Sequence, residues 1–146
     1  MQILTKIFTN KAIIIPAAAW LFAQLIKVIT SLIIDKGVAL SRLFGSGGMP
    51  SSHTCYIMTL AALTGKNIGW DSVEFGIVCA FAFIVMYDAT GVRRAAGRQA
   101  KLLNSLMSTH FAGDEFNEKL KELLGHRPQE VFVGAIIGVI IGLLFG

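Results

Sequence analysis

The chain of 146 residues is 54% hydrophobic and only 15% charged, with a mean hydropathy of +0.66. A soluble domain of this size carries about a quarter charged residues, so the composition excludes an ordinary soluble domain and predicts a single integral membrane domain over residues 1–146. The net charge of +4 does not indicate nucleic-acid binding, because no pattern of alternating basic and aromatic residues accompanies it.

Four apolar segments predict an all-α membrane bundle of about four short spans. The first follows Lys6 and Lys11 and resembles a signal peptide, but it is too long and lacks a cleavage site, so we predict a retained span. The second is short for a bilayer and is expected to begin below the membrane surface. The predicted spans are Lys11–Ile34, His53–Thr64, Val73–Tyr87 and Val131–Phe145.

The most basic stretch follows the third span. As a helix it would align Arg94, Arg98 and Lys101 on one side, which is typical of an interfacial helix lying on anionic lipid. The alternative is that Arg93 and Arg94 clamp phosphate oxygens, with Asp88 orienting one of them. Further along, mixed charge and apolar spacing predict a second amphipathic helix over residues 111–124.

A glycine-rich turn, Gly45 to Thr54, leads into the second span. Glycines such as Gly48 allow positive φ, and Ser51 or Ser52 can cap the free N–H groups of the helix. Those N–H groups and the helix dipole favour a bound phosphate. His53, on the first helical turn, is placed to give a proton to a leaving group.

Two further candidates lie on other spans. Lys27 is a lysine in mid-span, so it is expected either to face a bound anion or to extend to the membrane interface. Glu130 follows His126 by one helical turn and can accept a hydrogen bond from its ring N–H. That bond would leave the other ring nitrogen of His126 free for nucleophilic attack.

Topology predicts that these candidates share one side of the membrane. With four spans, the glycine turn precedes the second span, the arginine pair follows the third, and His126 precedes the fourth. The last span repeats glycine every four residues, which favours close helix packing within the bundle or across a homodimer. The repeat consists of Gly134, Gly138 and Gly142.

These motifs resemble the type 2 phosphatidic acid phosphatase superfamily, which also contains the vanadium haloperoxidases. Pro50-Ser51-Ser52-His53 is similar to the family's Pro-Ser-Gly-His motif, and His126 to Glu130 is similar to its last motif, a histidine followed by an aspartate. The resemblance implies that His126 forms a phosphohistidine with Glu130 as its orienting carboxylate. It also implies that His53 protonates the leaving alcohol, and that Ser51 and the backbone near Gly48 hold phosphate oxygens.

The chain departs from the superfamily pattern at two positions. The family's first motif, a lysine followed after six residues by Arg-Pro, does not occur, and Leu120 stands where an arginine usually precedes the final histidine. Arg93 or Arg94 could supply that charge. Gly-Gly-Met-Pro-Ser-Ser-His and Asp-Ala-x-Gly-Val-Arg-Arg, counted from Gly47 and Asp88, are similar to a small divergent bacterial and plastid branch.

The predicted function is therefore a metal-independent phosphatase of a membrane lipid phosphate, with no cofactor. Phosphatidylglycerophosphate, phosphatidate and polyprenyl phosphates all fit. The alternatives are a non-catalytic protein that binds or transports anionic lipid and, on the same oxyanion site, a haloperoxidase.

The chain is expected in a bacterial plasma membrane, and its charge distribution predicts a sidedness. Nine cations fall on the motif side, against Lys6, Lys11 and Lys66 on the other, so the positive-inside rule predicts a cytoplasmic site. The better-known lipid phosphatases of the superfamily face the opposite way. The nine are Lys36, Arg42, Arg93, Arg94, Arg98, Lys101, Lys119, Lys121 and Arg127.

Overall fold

The computed structural model describes residues 2–35, 48–110, 119–122 and 124–146. Within these ranges every regular element is a helix, which confirms the predicted all-α class. In chain order the helices are α1 (Gln2–Phe8), α2 (Lys11–Asp35), α3 (Ser52–Ile68), α4 (Val73–Thr90), α5 (Val92–His110) and α6 (Pro128–Phe145).

Three stretches of the described chain are long and apolar enough to cross a membrane. They are Lys11–Ile33, Val73–Thr109 and Pro128–Phe145, and they contain three of the four predicted spans. The fourth corresponds to α3, which has 17 residues and so falls short of the roughly 20 needed to cross a bilayer. Instead of facing lipid on all sides, α3 lies between α2, α4 and α6.

The central helix α3 buries small and hydroxyl-bearing residues. Thr54 and Thr59 are fully buried, together with Cys55, Ala61 and Ala62. The Thr59 hydroxyl donates to the Cys55 carbonyl at 2.7 Å, so its polar group is satisfied within the helix. Small side chains let three neighbouring helices approach the α3 backbone closely.

The glycine repeat of α6 packs against α3. A Cβ on Gly134 would lie 2.5 Å from the Ser51 carbonyl oxygen, and one on Gly138 would lie 2.5 Å from that of Cys55. A Cβ on Gly142 would lie 2.6 Å from the Thr59 carbonyl oxygen. Of the two predicted uses, the structure therefore shows packing within the bundle. A homodimer would have to form through another surface, because the repeat is buried inside the chain.

Helix α4 presents an apolar surface outward. Ser72 caps its start by accepting from the Phe75 N–H at 3.2 Å. Only Ala82 and Ala89 are buried, whereas large apolar side chains such as Ile77 and Phe81 are exposed. This distribution fits a helix whose outer face lies in lipid.

The predicted second amphipathic helix, residues 111–124, is wrong where it can be examined. Residues 119–122 and 124 are not helical, and residues 111–118 and 123 lie outside the described residues. The carbonyls of Glu122 and Leu124 instead lie against Gly97 of α5, where a Cβ would come within 2.6 Å and 2.9 Å of them. We call residues 119–126, of which 123 is not described, the docking segment, because they follow α5 toward the start of α6.

Candidate functional site

The described part of the glycine turn, from Gly48 onward, lies against α2 at Lys27, and residues 45–47 lie outside the described residues. Gly48 has φ +92°, and a Cβ there would lie 3.4 Å from Cγ of Lys27. The next residue is fixed as well, since the Met49 carbonyl accepts from the Thr30 hydroxyl at 2.9 Å. Lys27 is only 2% exposed, so this mid-span lysine is enclosed by protein beside the turn and does not extend outward.

The start of α3 differs from the predicted cap. Ser51 occupies the N-cap position but makes no side-chain capping bond, because its Oγ accepts from the Thr54 hydroxyl at 3.0 Å. Its backbone N–H donates to the Glu130 carbonyl at 3.0 Å, which ties the start of α3 to the start of α6. Ser52 is the first helical residue and is buried. The first hydrogen bond within the helix runs from the Cys55 N–H to the Ser51 carbonyl. The N–H groups of Ser52, His53 and Thr54 come before it and so have no backbone acceptor within the helix.

His126 and Glu130 form the predicted pair. Nδ1 of His126 lies 3.0 Å from Oε2 of Glu130, and the histidine is only 4% exposed. The same carboxylate oxygen accepts from the Arg127 N–H at 3.1 Å, which fixes it at the start of α6. An ionised carboxylate only accepts, so Nδ1 carries the proton and Nε2 is the unprotonated nitrogen when His126 is neutral.

The backbone around His126 is held by α4 and α5. The His126 N–H donates to the Ala89 carbonyl at 2.9 Å. Gly125 has φ +82°, and a Cβ there would lie 2.4 Å from the Arg94 backbone nitrogen. Residue 125 must be glycine here, because its φ is positive and because a side chain would collide with the Arg94 backbone. Neither contact was predicted, because nothing local in the sequence marks which peptide groups Gly125 and His126 meet.

The arginine pair divides into two roles. Arg93 Nε donates to the Asp88 carboxylate, and the two side chains are 49% and 36% exposed. Asp88 therefore orients Arg93, as predicted for one of the pair. Arg94 meets Gly125 through its backbone, while its exposed side chain makes no hydrogen bond or ion pair within the described residues. The structure thus brings Arg93 to the site and leaves the Arg94 side chain outside it.

Electrostatic interactions link the remaining candidates. His53 interacts with the charges of Arg93, His126 and Lys27, and also with that of Asp88. Lys27 interacts in turn with Glu130. We call this set the histidine site. Its members are Lys27 of α2, His53 of α3, Asp88 of α4, Arg93 of α5, His126 at the end of the docking segment and Glu130 of α6.

The histidine site combines two cations with two histidines. Lys27 and Arg93 can neutralise an anion, and the arginine fork suits phosphate oxygens. One histidine has a fixed tautomer and the other is half-exposed on the first turn of a helix. Among the described residues, no three His, Cys, Asp or Glu side chains come together as potential metal ligands. The arrangement suits acid–base and nucleophilic chemistry on an anionic group.

This fold and site define an all-helical membrane protein with a buried, carboxylate-paired histidine beside two cations. A family model described as "Divergent PAP2 family" matches residues 8–141. The chain therefore belongs to the divergent PAP2 family, in agreement with the resemblance seen in its motifs.

One relative is similar over nearly the whole chain. It is the "Uncharacterized membrane protein YuiD" of Bacillus subtilis strain 168, which is 38% identical over 151 residues. The match covers 95% of this chain and 96% of that protein. No solved structure shows a significant match.

Proposed function

We propose that the chain is a metal-independent phosphatase that hydrolyses a membrane lipid phosphate through a phosphohistidine intermediate. The observation that carries this proposal is the contact between His126 Nδ1 and Glu130 Oε2 at 3.0 Å, in a site that also holds His53, Arg93 and Lys27. Membership of the divergent PAP2 family supports the same reaction class.

In the first step, Nε2 of His126 attacks phosphorus in line with the ester oxygen. An N–P bond forms as the P–O bond to the lipid breaks, and His53 gives its proton to the departing alkoxide oxygen. Glu130 stabilises the positive charge that develops on the His126 ring. In the second step, His53 takes a proton from water as the oxygen attacks phosphorus, the N–P bond breaks, and inorganic phosphate leaves.

Two cations bind most of the phosphate: Lys27, which is enclosed, and Arg93, which Asp88 orients. Lys27 neutralises one phosphate oxygen and Arg93, held by Asp88, takes others. The N–H groups of Ser52 and His53, in the first turn of α3, add the partial positive charge of the helix N-terminus. The Ser51 N–H is engaged by Glu130 and its Oγ accepts from Thr54, so the Ser51 O–H is the group left to donate to a phosphate oxygen. Arg94 attracts the anionic headgroup from outside.

A lipid substrate follows from the position of the site within a membrane bundle. Three apolar helices surround or adjoin it, so a headgroup can enter while its chains stay in apolar surroundings. We place the protein in the bacterial plasma membrane with the site toward the cytoplasm, on the charge distribution. Phosphatidylglycerophosphate, phosphatidate and polyprenyl phosphates are the substrates to test first.

The decisive experiment measures phosphate release from these lipid phosphates by the purified protein in detergent with EDTA. We expect release by the wild type and loss of at least 10²-fold in His126→Ala and His53→Ala. His110→Ala, which changes the third histidine of the chain, is the matched control and should retain wild-type turnover. A phosphoramidate trapped by rapid quench and mapped to His126 would identify the intermediate.

Full turnover by His126→Ala would overturn the histidine mechanism. If no lipid phosphate is hydrolysed but all are bound, the protein is instead a non-catalytic binder or transporter of anionic lipid. Thermal unfolding of each variant in the same detergent separates loss of chemistry from loss of fold.

A further inference from the structure

An apolar cavity adjoins the histidine site. It is an open recess of about 470 Å³ between α2, α3 and α4, and its walls are Ala17, Trp20, His53, Tyr56, Ile57 and Val85. Ligand cavities of roughly 300–1,000 Å³ lined by apolar and aromatic side chains are typical of small-molecule sites. His53 is the member of this wall that also belongs to the histidine site, so one side chain borders both spaces.

The histidine site is charged and the cavity is apolar, so together they suit a ligand with an anionic group and a hydrocarbon chain. Lys27 and Arg93 are cations that act electrostatically on His53, so an anionic group would be drawn to them. The cavity wall beside His53 offers the Trp20 and Tyr56 rings and the Ile57 side chain. A lipid whose phosphate occupies the cations and whose chain enters the cavity would place the bond between them at His53.

From this arrangement we infer that the cavity binds the hydrocarbon chain of the lipid phosphate next to its ester oxygen, and that it selects the leaving group. The inference rests on the proposed function and deepens it. The histidine site carries out the hydrolysis, and the cavity between α2, α3 and α4 determines which lipid phosphate is hydrolysed. A short alcohol would leave the cavity unfilled. For short-chain esters that dissolve as monomers in water, turnover should then rise with chain length, by roughly fourfold for each methylene buried until the cavity is full.

Binding is tested without hydrolysis by tryptophan fluorescence. The chain has two tryptophans, and Trp70→Phe leaves Trp20 as the reporter. The probe is a bromoalkyl phosphonate, whose phosphorus cannot be released and whose chain carries the bromine quencher. We expect saturable quenching of Trp20, reversed by the unbrominated phosphonate and absent with inorganic phosphate.

The matched variants are neighbours on α4. Val85→Phe fills the cavity from its wall, whereas Ile84→Phe adds the same ring to a side chain that is 60% exposed and does not line the cavity. We expect Val85→Phe to weaken phosphonate binding at least tenfold and to flatten the dependence of kcat/KM on chain length. Ile84→Phe should retain both.

The outcomes separate this inference from the proposed function. Quenching that is unchanged in Val85→Phe, or independent of chain length, overturns the cavity assignment even if lipid phosphate is hydrolysed. Quenching that Val85→Phe abolishes, in a protein that hydrolyses nothing, supports the cavity as a chain site and overturns the phosphatase.

Discussion

The side-chain amide of Asn104 forms two hydrogen bonds with the backbone of Leu120. The Leu120 N–H donates to Oδ1 at 3.0 Å, and Nδ2 donates to the Leu120 carbonyl at 2.9 Å. Nδ2 also donates to the Glu122 carboxylate at 2.8 Å. Asn104 therefore holds the docking segment to α5 at the end farthest from His126, and Gly97 and Arg94 receive it further along.

Replacing Asn104 with Asp should release this end of the docking segment. The aspartate loses both Nδ2 donations and places a negative charge beside the Leu120 carbonyl and Glu122 carboxylate. We expect faster hydrogen exchange at the Leu120 amide and a loss of about 1 kcal/mol in the free energy of unfolding, since the contact is exposed. Ser105→Ala, on the next residue of α5, is the control. Unchanged exchange in Asn104→Asp would show that the segment is held without this amide.

Adding one methyl group to Gly138 should destabilise the bundle. The new Cβ would lie 2.5 Å from the Cys55 carbonyl oxygen, so α6 would have to move away from α3. We expect a loss of about 1–3 kcal/mol, measured by thermal or denaturant unfolding in detergent.

The matched control for Gly138→Ala is Gly76→Ala in α4. A Cβ at Gly76 meets nothing within 4 Å, so alanine there should stabilise the helix by about 0.5–1 kcal/mol. Equal effects of the two substitutions would mean that α6 does not pack against α3 through glycine.

Glu130→Gln should separate the chemical role of this residue from its structural role. Glutamine can still accept from the Arg127 N–H, but its neutral amide cannot stabilise a charged His126 ring or enforce its tautomer. We expect a fall in kcat of about 10²–10⁴-fold with little change in melting temperature. Glu130→Ala should lose the cap as well and unfold more readily, by about 1 kcal/mol. A wild-type kcat in Glu130→Gln would remove the carboxylate from the mechanism.

Asp88→Asn should weaken substrate binding more than stability. The Asp88–Arg93 pair is largely exposed, and such pairs contribute about 0–1 kcal/mol to folding. Its loss leaves Arg93 charged but without its orienting partner, so we expect a KM several-fold higher at an unchanged melting temperature. Glu74→Gln, an exposed carboxylate in the first turn of α4, is the control. If KM does not change, Arg93 acts without being oriented by Asp88.

The parts of the site that depend on local spacing could be predicted from the sequence. His126 and Glu130 are four residues apart, and a helix beginning between them brings the two side chains together wherever α6 lies. The Ser72 cap could also be predicted from local sequence, as could the long apolar stretches of α2, α4 and α6. The convergence of His53, Arg93 and His126 was predicted by counting helices, because alternate helix ends fall on one side of the bundle. The position of Lys27 in mid-span left two alternatives open.

Contacts between distant segments could not be predicted in this way. The amphipathic spacing of residues 111–124 suggested a helix, yet Leu120 and Glu122 bond to Asn104 and lie along α5 instead. Ser51 matched the pattern of a helix cap, but Thr54 and Glu130 engage its hydroxyl and its N–H. In both cases a partner remote in sequence or an unexpected side chain outweighs the local preference.

The enclosure of α3 makes assembly of the bundle depend on α6, which follows it by about 60 residues in the sequence. Until α6 arrives, the carbonyl edge of α3 at Ser51, Cys55 and Thr59 has no glycine surface against it, and α3 is too short to span the bilayer alone. A chain without α6 would therefore carry an uncovered, partly polar helix, which is costly in a membrane. Completion of the site and enclosure of α3 thus depend on the same helix, because α6 supplies both Glu130 and the glycine surface.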